Sequence, residues 1–254
     1  MTTRLHLREE LSGLETQCLG ALDLVVATLD RTLEALEQQD VELAGIVIAD
    51  DDRIDGRYLG VQQGILSLLA LQAPVASDLR VVAALLHVIK HAERMGDQCV
   101  NIAKLIPLVG HEPPQDAPMM ERIATMGRLA RSEVAQAKQA FCLRDVAVAE
   151  ALVRQDEQIN RLNREVFRRA VEIGTDADLR EWSMTMMLVA RALERIGDNA
   201  VDIGEQVAFV VTGLFREFSD ASHCRCSHRE APGAACEQPV TARCERPGSR
   251  VPPR

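Results

Sequence analysis

Aromatic side chains are scarce: 3% of the 254 residues, with one Trp and one Tyr. Leu, Val, Ile, Ala and Met must therefore fill any core, which suits helix packed on helix. No apolar run approaches the roughly 20 residues of a membrane-spanning helix. The first residues lead straight into an amphipathic pattern, without the apolar stretch of a signal peptide. A cytoplasmic location is expected. Positive charge is also short. The net charge of −9 and a pI near 5.2 argue against a general nucleic-acid binder and suit cations or basic partner surfaces. There is no Gly-rich phosphate loop and no Gly-x-Ser-x-Gly elbow. The helical body lacks Glu-x-x-His, which lowers a ferritin-like oxidase. Of seven Cys, only Cys18, Cys99 and Cys142 lie in that body, as isolated reduced thiols.

What is present is helical periodicity. Leu7, Leu11, Leu14, Cys18, Leu22, Val25, Leu29, Leu33 and Leu36 recur in steps of three and four, the seam of a long packed helix over about 5–38. Asp40 is the expected N-cap of a helix over about 41–71. Pro74 breaks the pattern and is expected to open a third helix running to about Leu108. Gly110 and Pro113-Pro114 close it, and 111–118 reads as a linker. Helices over about 119–142 and 146–172 follow, the second capped by Asp145. Gly174 stops it, and Thr175 or Asp176 starts the last. That helix carries the seam Trp182, Met186, Val189, Leu193, Ile196, Ala200, Ile203, Val207, Val210, Leu214. Met186-Met187 belongs to this seam rather than to a cofactor box.

The order repeats. Asp40-Val41 pairs with Asp145-Val146, Asp78-Leu79-Arg80 with Asp178-Leu179-Arg180, and Glu93-Arg94-Met95-Gly96-Asp97 with Glu194-Arg195-Ile196-Gly197-Asp198. The offset holds at about 100–105 residues, so a three-helix unit is duplicated. The expected fold is all-α, two tandem three-helix bundles: 1–110, linker 111–118, then 119–218. Residues 219–254 hold five of the ten Pro, four of the seven Cys and six Arg, and read as a disordered tail. Its His223-Cys224-Arg225-Cys226-Ser227-His228, with Cys236 and Cys244, has enough donors for zinc, but Cys-x-Cys is not the usual hook.

Each half offers two polar rows on neighbouring helices: Asp51, Asp55, Glu93, Asp97 and Asn101; then Asp156, Asn160, Glu194, Asp198 and Asp202. Carboxylates four apart share a helix face and repel by about 0.2–0.5 kcal/mol. The mid-helix glycines Gly96 and Gly197 each cost roughly 1 kcal/mol against Ala. Those glycines either admit a neighbouring helix closely or leave room for a ligand. Solvated acids, with Arg94–Asp97 and Arg195–Asp198 as ion pairs, are the plain alternative. Repetition in register favours a bound cation, and all-oxygen donors suit hard ions such as Mg, Mn, Ca or oxidised iron. His87 and His91 lie well round the helix from Glu93 and are expected at the surface.

These motifs, with Ser77-Asp78-Leu79-Arg80, closely resemble the PhoU family of phosphate-uptake regulators over about residues 8–217. The resemblance implies a non-enzymatic, cytoplasmic negative regulator of phosphate uptake and starvation signalling. Such a protein links the ATP-binding cassette phosphate transporter, through its ATPase subunit, to a phosphate-sensing histidine kinase, and meets the membrane only through partners. It also implies metal ions (iron, zinc, magnesium or manganese) at Asp51/Asp55, Glu93/Asp97, Asp156/Asn160 and Glu194/Asp198, with Asp202 one step on. Asn160 and Asn101 depart from the ideal pattern, and the Cys-rich tail is no family feature. A homodimer fits the long exposed helices. A metal-dependent hydrolase or oxidase, and a metal-free dimerisation module, are the competing classes.

Overall fold

The apolar seam of the first helix goes inward, as its spacing requires. In the computed structural model Leu7, Leu11, Leu14, Cys18, Leu22, Val25, Leu29 and Leu36 are all buried. The structure describes residues 2–110, 113–173 and 176–218. The expectations for Gly174, Thr175 and the 219–254 tail, its disorder and its zinc donors included, lie outside these residues.

The helices are α1 (Thr2–Gln38), α2 (Val41–Ala49), α3 (Asp52–Leu71), α4 (Ser77–Leu105), α5 (Ala117–Leu143), α6 (Val146–Glu172) and α7 (Ala177–Thr212); a short 3-10 turn, Ile106–Val109, extends α4. Helices α1 to α4 build the first bundle and α5 to α7 the second. Asp40, Asp116, Asp145 and Asp176 each cap a helix by accepting a backbone N–H in its first turn. The two αα-turns are near copies, with Gln39 and Arg144 both left-handed at φ 54° and 55°.

Three boundaries differ from the sequence expectation. The helix expected over 41–71 is broken into α2 and α3 at Asp50-Asp51. Its counterpart α6 is continuous. The first has Asp50-Asp51-Asp52 where the second has Gln155-Asp156-Glu157. Aspartates compete for backbone donors and favour helix ends. Arg31 on α1 also holds Asp50 at 2.6 Å. Secondly, α4 starts at Ser77, three residues past Pro74, because Ala76 takes a positive φ of 48°. Thirdly, α7 ends at Thr212, where left-handed Gly213 donates to the Phe209 carbonyl. Leu214 is thereby thrown out of the seam and exposed.

One apolar core runs through both repeats. Helices α1 and α5 cross antiparallel, with Arg131 on Asp30, Lys138 on Asp23 and Arg144 on Glu15. Such exposed pairs contribute about 0–1 kcal/mol each, so apolar burial carries the contact. The third helices α4 and α7 also meet. His91 Nδ1 lies 2.8 Å from Asn199 Oδ1. Asn199 donates its amide to the Arg195 carbonyl, so its Oδ1 accepts and His91 donates from Nδ1. The expectation of a surface His91 is overturned: it is buried against α7, while His87 is exposed. Among the described residues no helix is long and apolar enough to cross a membrane.

Candidate functional site

The first half brings Asp51 and Asp55, on the opening turn of α3, up to Glu93 and Asp97 on α4. Burial, then repulsion from Asp55 and Asp97, pushes the Asp51 carboxyl above its ordinary range, against the pull of Lys104. Asp97 rises for the same reasons, first desolvation, then Glu93 and Asp55. Four acids therefore share one field. Glu93 is tethered by Lys90, whose Nζ reaches both of its oxygens at 2.8 and 2.7 Å and lies 4.9 Å from the Tyr58 ring centre. Asn101 is exposed.

The second half is deeper. Asp156 and Glu194 are both buried. Asn160 donates to Asp156 Oδ2 at 2.6 Å, so the amide that replaces a carboxylate holds its neighbour. Arg191 bonds Glu194 Oε1, while Glu194 Oε2 is buried without a hydrogen-bond partner. Burial and then Asp198 raise the Glu194 carboxyl, against Arg191 and Arg195. In both halves the basic partner of the motif glutamate is the residue three before it, Lys90 or Arg191. Asp202 leaves the row. Its carboxylate stands 3.5 Å from His91 Nδ1, across the contact between the halves.

One acid escaped the sequence reading. Glu133 on α5 is wholly buried, and neither of its oxygens has a hydrogen-bond partner. Burial first, then Asp156 and Asp198, pushes its carboxyl up to about 9. The signal was present: Met119, Ile123, Met126, Ala130, Glu133, Ala137 and Ala140 form a seam of threes and fours with one charge in it.

The two motif glycines have different reasons. A β-carbon at Gly96 would lie 2.9 Å from Ile54 Cδ1, so this glycine admits α3 closely. A β-carbon at Gly197 would lie 2.7 Å from Glu133 Oε2 and 2.8 Å from Asp156 Oδ1. Here the missing side chain makes room for carboxylates.

As the side chains stand, no three His, Cys, Asp or Glu groups among the described residues converge on one point. The donors are nonetheless of the kind hard cations take: carboxylate oxygens on adjacent helices. In the second half, Glu133 and Glu194 hold buried oxygens without a hydrogen-bond partner.

Fold and site together define a class: a duplicated three-helix bundle carrying acidic pairs on the adjacent second and third helices of each repeat. The family model for the PhoU domain matches residues 20–106 and again 123–207. This chain belongs to the PhoU family. It is 28% identical over 220 residues to a phosphate-specific transport system accessory protein PhoU homolog of Clostridium acetobutylicum, covering 86% of this chain and 100% of that one. It is 33% identical to the homolog of Deinococcus radiodurans, over 76% of this chain and 92% of the relative. The crystal structure of the phosphate transport system regulatory protein PhoU from Streptococcus pneumoniae superposes with a TM-score of 0.77 at 29% identity, over 83% of this chain and 99% of that one. PhoU from Pseudomonas aeruginosa gives 0.76 at 26%, over 82% and 99%.

Proposed function

We propose that this chain is a non-catalytic accessory protein of phosphate transport, a negative regulator that damps uptake and starvation signalling when phosphate is plentiful. The observation that carries the reading is the family match over both repeats, together with relatives named for phosphate transport. The ATPase subunit of the phosphate transporter and a phosphate-sensing histidine kinase are its partners in this reading, in the cytoplasm and as a homodimer. Cations bind the acidic faces: Asp51, Asp55, Glu93 and Asp97 in one half, Asp156, Asn160, Glu194 and Asp198 in the other. The support for this is that burial, and then the neighbouring carboxylates, raise the proton affinity of Asp51, Asp97 and Glu194. Asp202, turned to His91, is peripheral to that set.

The test is deletion of the gene, followed by phosphate uptake and starvation-gene output in phosphate-rich medium. Both should rise, and the intact gene should restore them. Unchanged uptake and unchanged signalling would overturn the regulatory role. Co-purification of the tagged chain with the transporter ATPase tests the partner separately.

A further inference from the structure

The two halves are not equivalent at their acidic sites, and the difference lies in the first helix of each repeat. Glu133 stands twelve residues before the cap Asp145, and Thr28 stands twelve before the matching cap Asp40. Both positions are buried. One carries a carboxylate and the other a hydroxyl.

A buried carboxylate with no hydrogen bond is costly when charged. Three things offset such a cost: a proton, a basic partner or a cation. No Lys, Arg or His is paired with Glu133 among the described residues. Its Oε2 and the Oδ1 of Asp156 both crowd the bare face of Gly197, 2.7 and 2.8 Å from where a β-carbon would stand. Glu194 Oε2, also buried and unbonded, lies on the same helix as that glycine. Glu133 therefore points into the second acidic site from behind, from a helix that contributes nothing to the first.

We propose that Glu133 is an interior ligand for a cation at the second site, supplying oxygen from α5 to complete the set from α6 and α7. The first site, with Thr28 in its place, is built from two helices only and holds the cation less tightly. This rests on the cation-binding part of the function proposed above. Small shifts of the carboxylates bring the donors onto one ion. The bare face of Gly197 lets carboxylates from α5 and α6 approach each other there, whereas the face of Gly96 is taken by Ile54.

The experiment is equilibrium dialysis of the full chain against Mn2+, and anaerobically against Fe2+, with bound metal measured per chain. The wild type should show two classes of site. Glu133→Gln should weaken the tighter class at least tenfold and spare the weaker. Glu133→Leu, which keeps the volume and removes both oxygens, should do the same. Asp97→Asn should weaken only the other class. Circular dichroism establishes that each variant is folded. Two equal sites in the wild type, or Glu133 variants that retain the tighter class, would overturn the inference and leave cation binding standing. No uptake of either ion by the wild type would overturn both.

Discussion

Arg169 grips Asp116 with two parallel hydrogen bonds, Nε to Oδ1 at 3.0 Å and Nη2 to Oδ2 at 2.6 Å. The same Asp116 caps α5 by accepting from the Met119 N–H. One side chain thus ties the linker between the repeats to α6 and starts the second bundle. The Arg169 guanidinium holds the Asp116 carboxyl below its ordinary range, and the Met119 N–H adds to this.

The sign of the pH effect follows. With its folded pKa depressed, Asp116 stabilises the fold fully above its unfolded value, about 3.9. That contribution is lost as pH falls through the lower folded value. Thermal melts should show a decline below about pH 4 that is shallower in Asp116→Asn. At neutral pH Asp116→Ala should lose about 1 kcal/mol from the cap alone. A variant with the wild-type acid limb would show that this pair contributes nothing to it.

The motif glycines should fail differently. Gly96→Ala pushes on Ile54 and should destabilise by about 1–3 kcal/mol, the usual cost of overpacking. Adding Ile54→Val should recover part of the loss. Gly197→Ala pushes instead on Glu133 and Asp156, and Ile54→Val should not rescue it. Denaturant titration of the two single and two double variants separates these cases.

The body cysteines divide by burial. Cys18 and Cys99 are pushed up to about 12, in both cases by burial first, whereas Cys142 is exposed. Iodoacetamide should label Cys142 quickly at pH 8 and reach the other two only through unfolding. Peptide mapping by mass spectrometry reads each site. Equal labelling of Cys18 in the folded protein would contradict the packing of α1 on α4.

His91 and Asn199 join the third helices of the two halves. Removing Asn199 should cost about 1–3 kcal/mol, since the buried His91 loses its acceptor; removing His91 should cost less at the half-exposed Asn199. The double-mutant cycle should then return a coupling of about 0.5 kcal/mol or more. Additive losses would mean that the two side chains do not interact across the halves.

Much of this was readable in advance. Threes-and-fours spacing and aspartate caps placed the helices, and the repeated Glu-Arg-x-Gly-Asp placed the acid rows. Local rules were missed at Asp50-Asp51-Asp52, where three successive aspartates end one helix and begin another. The acids expected from spacing lie on adjacent helices within each half, without three of them meeting at one point, and Asp202 stands toward His91. Spacing alone could not show that Asp202 faces His91, because that contact joins residues far apart in the chain.

By itself the amino-acid order determined which residues are helical, which face of each helix is apolar, and that the unit occurs twice. Those properties depend on neighbours three or four residues away. Only the packing of α5 against α6 and α7 decided that Glu133 lies beside Asp156, and that Gly197 receives two carboxylates where Gly96 receives Ile54. Which faces meet depends on the volumes of side chains far apart in the chain, so a buried carboxylate gains its surroundings only when the helices close around it.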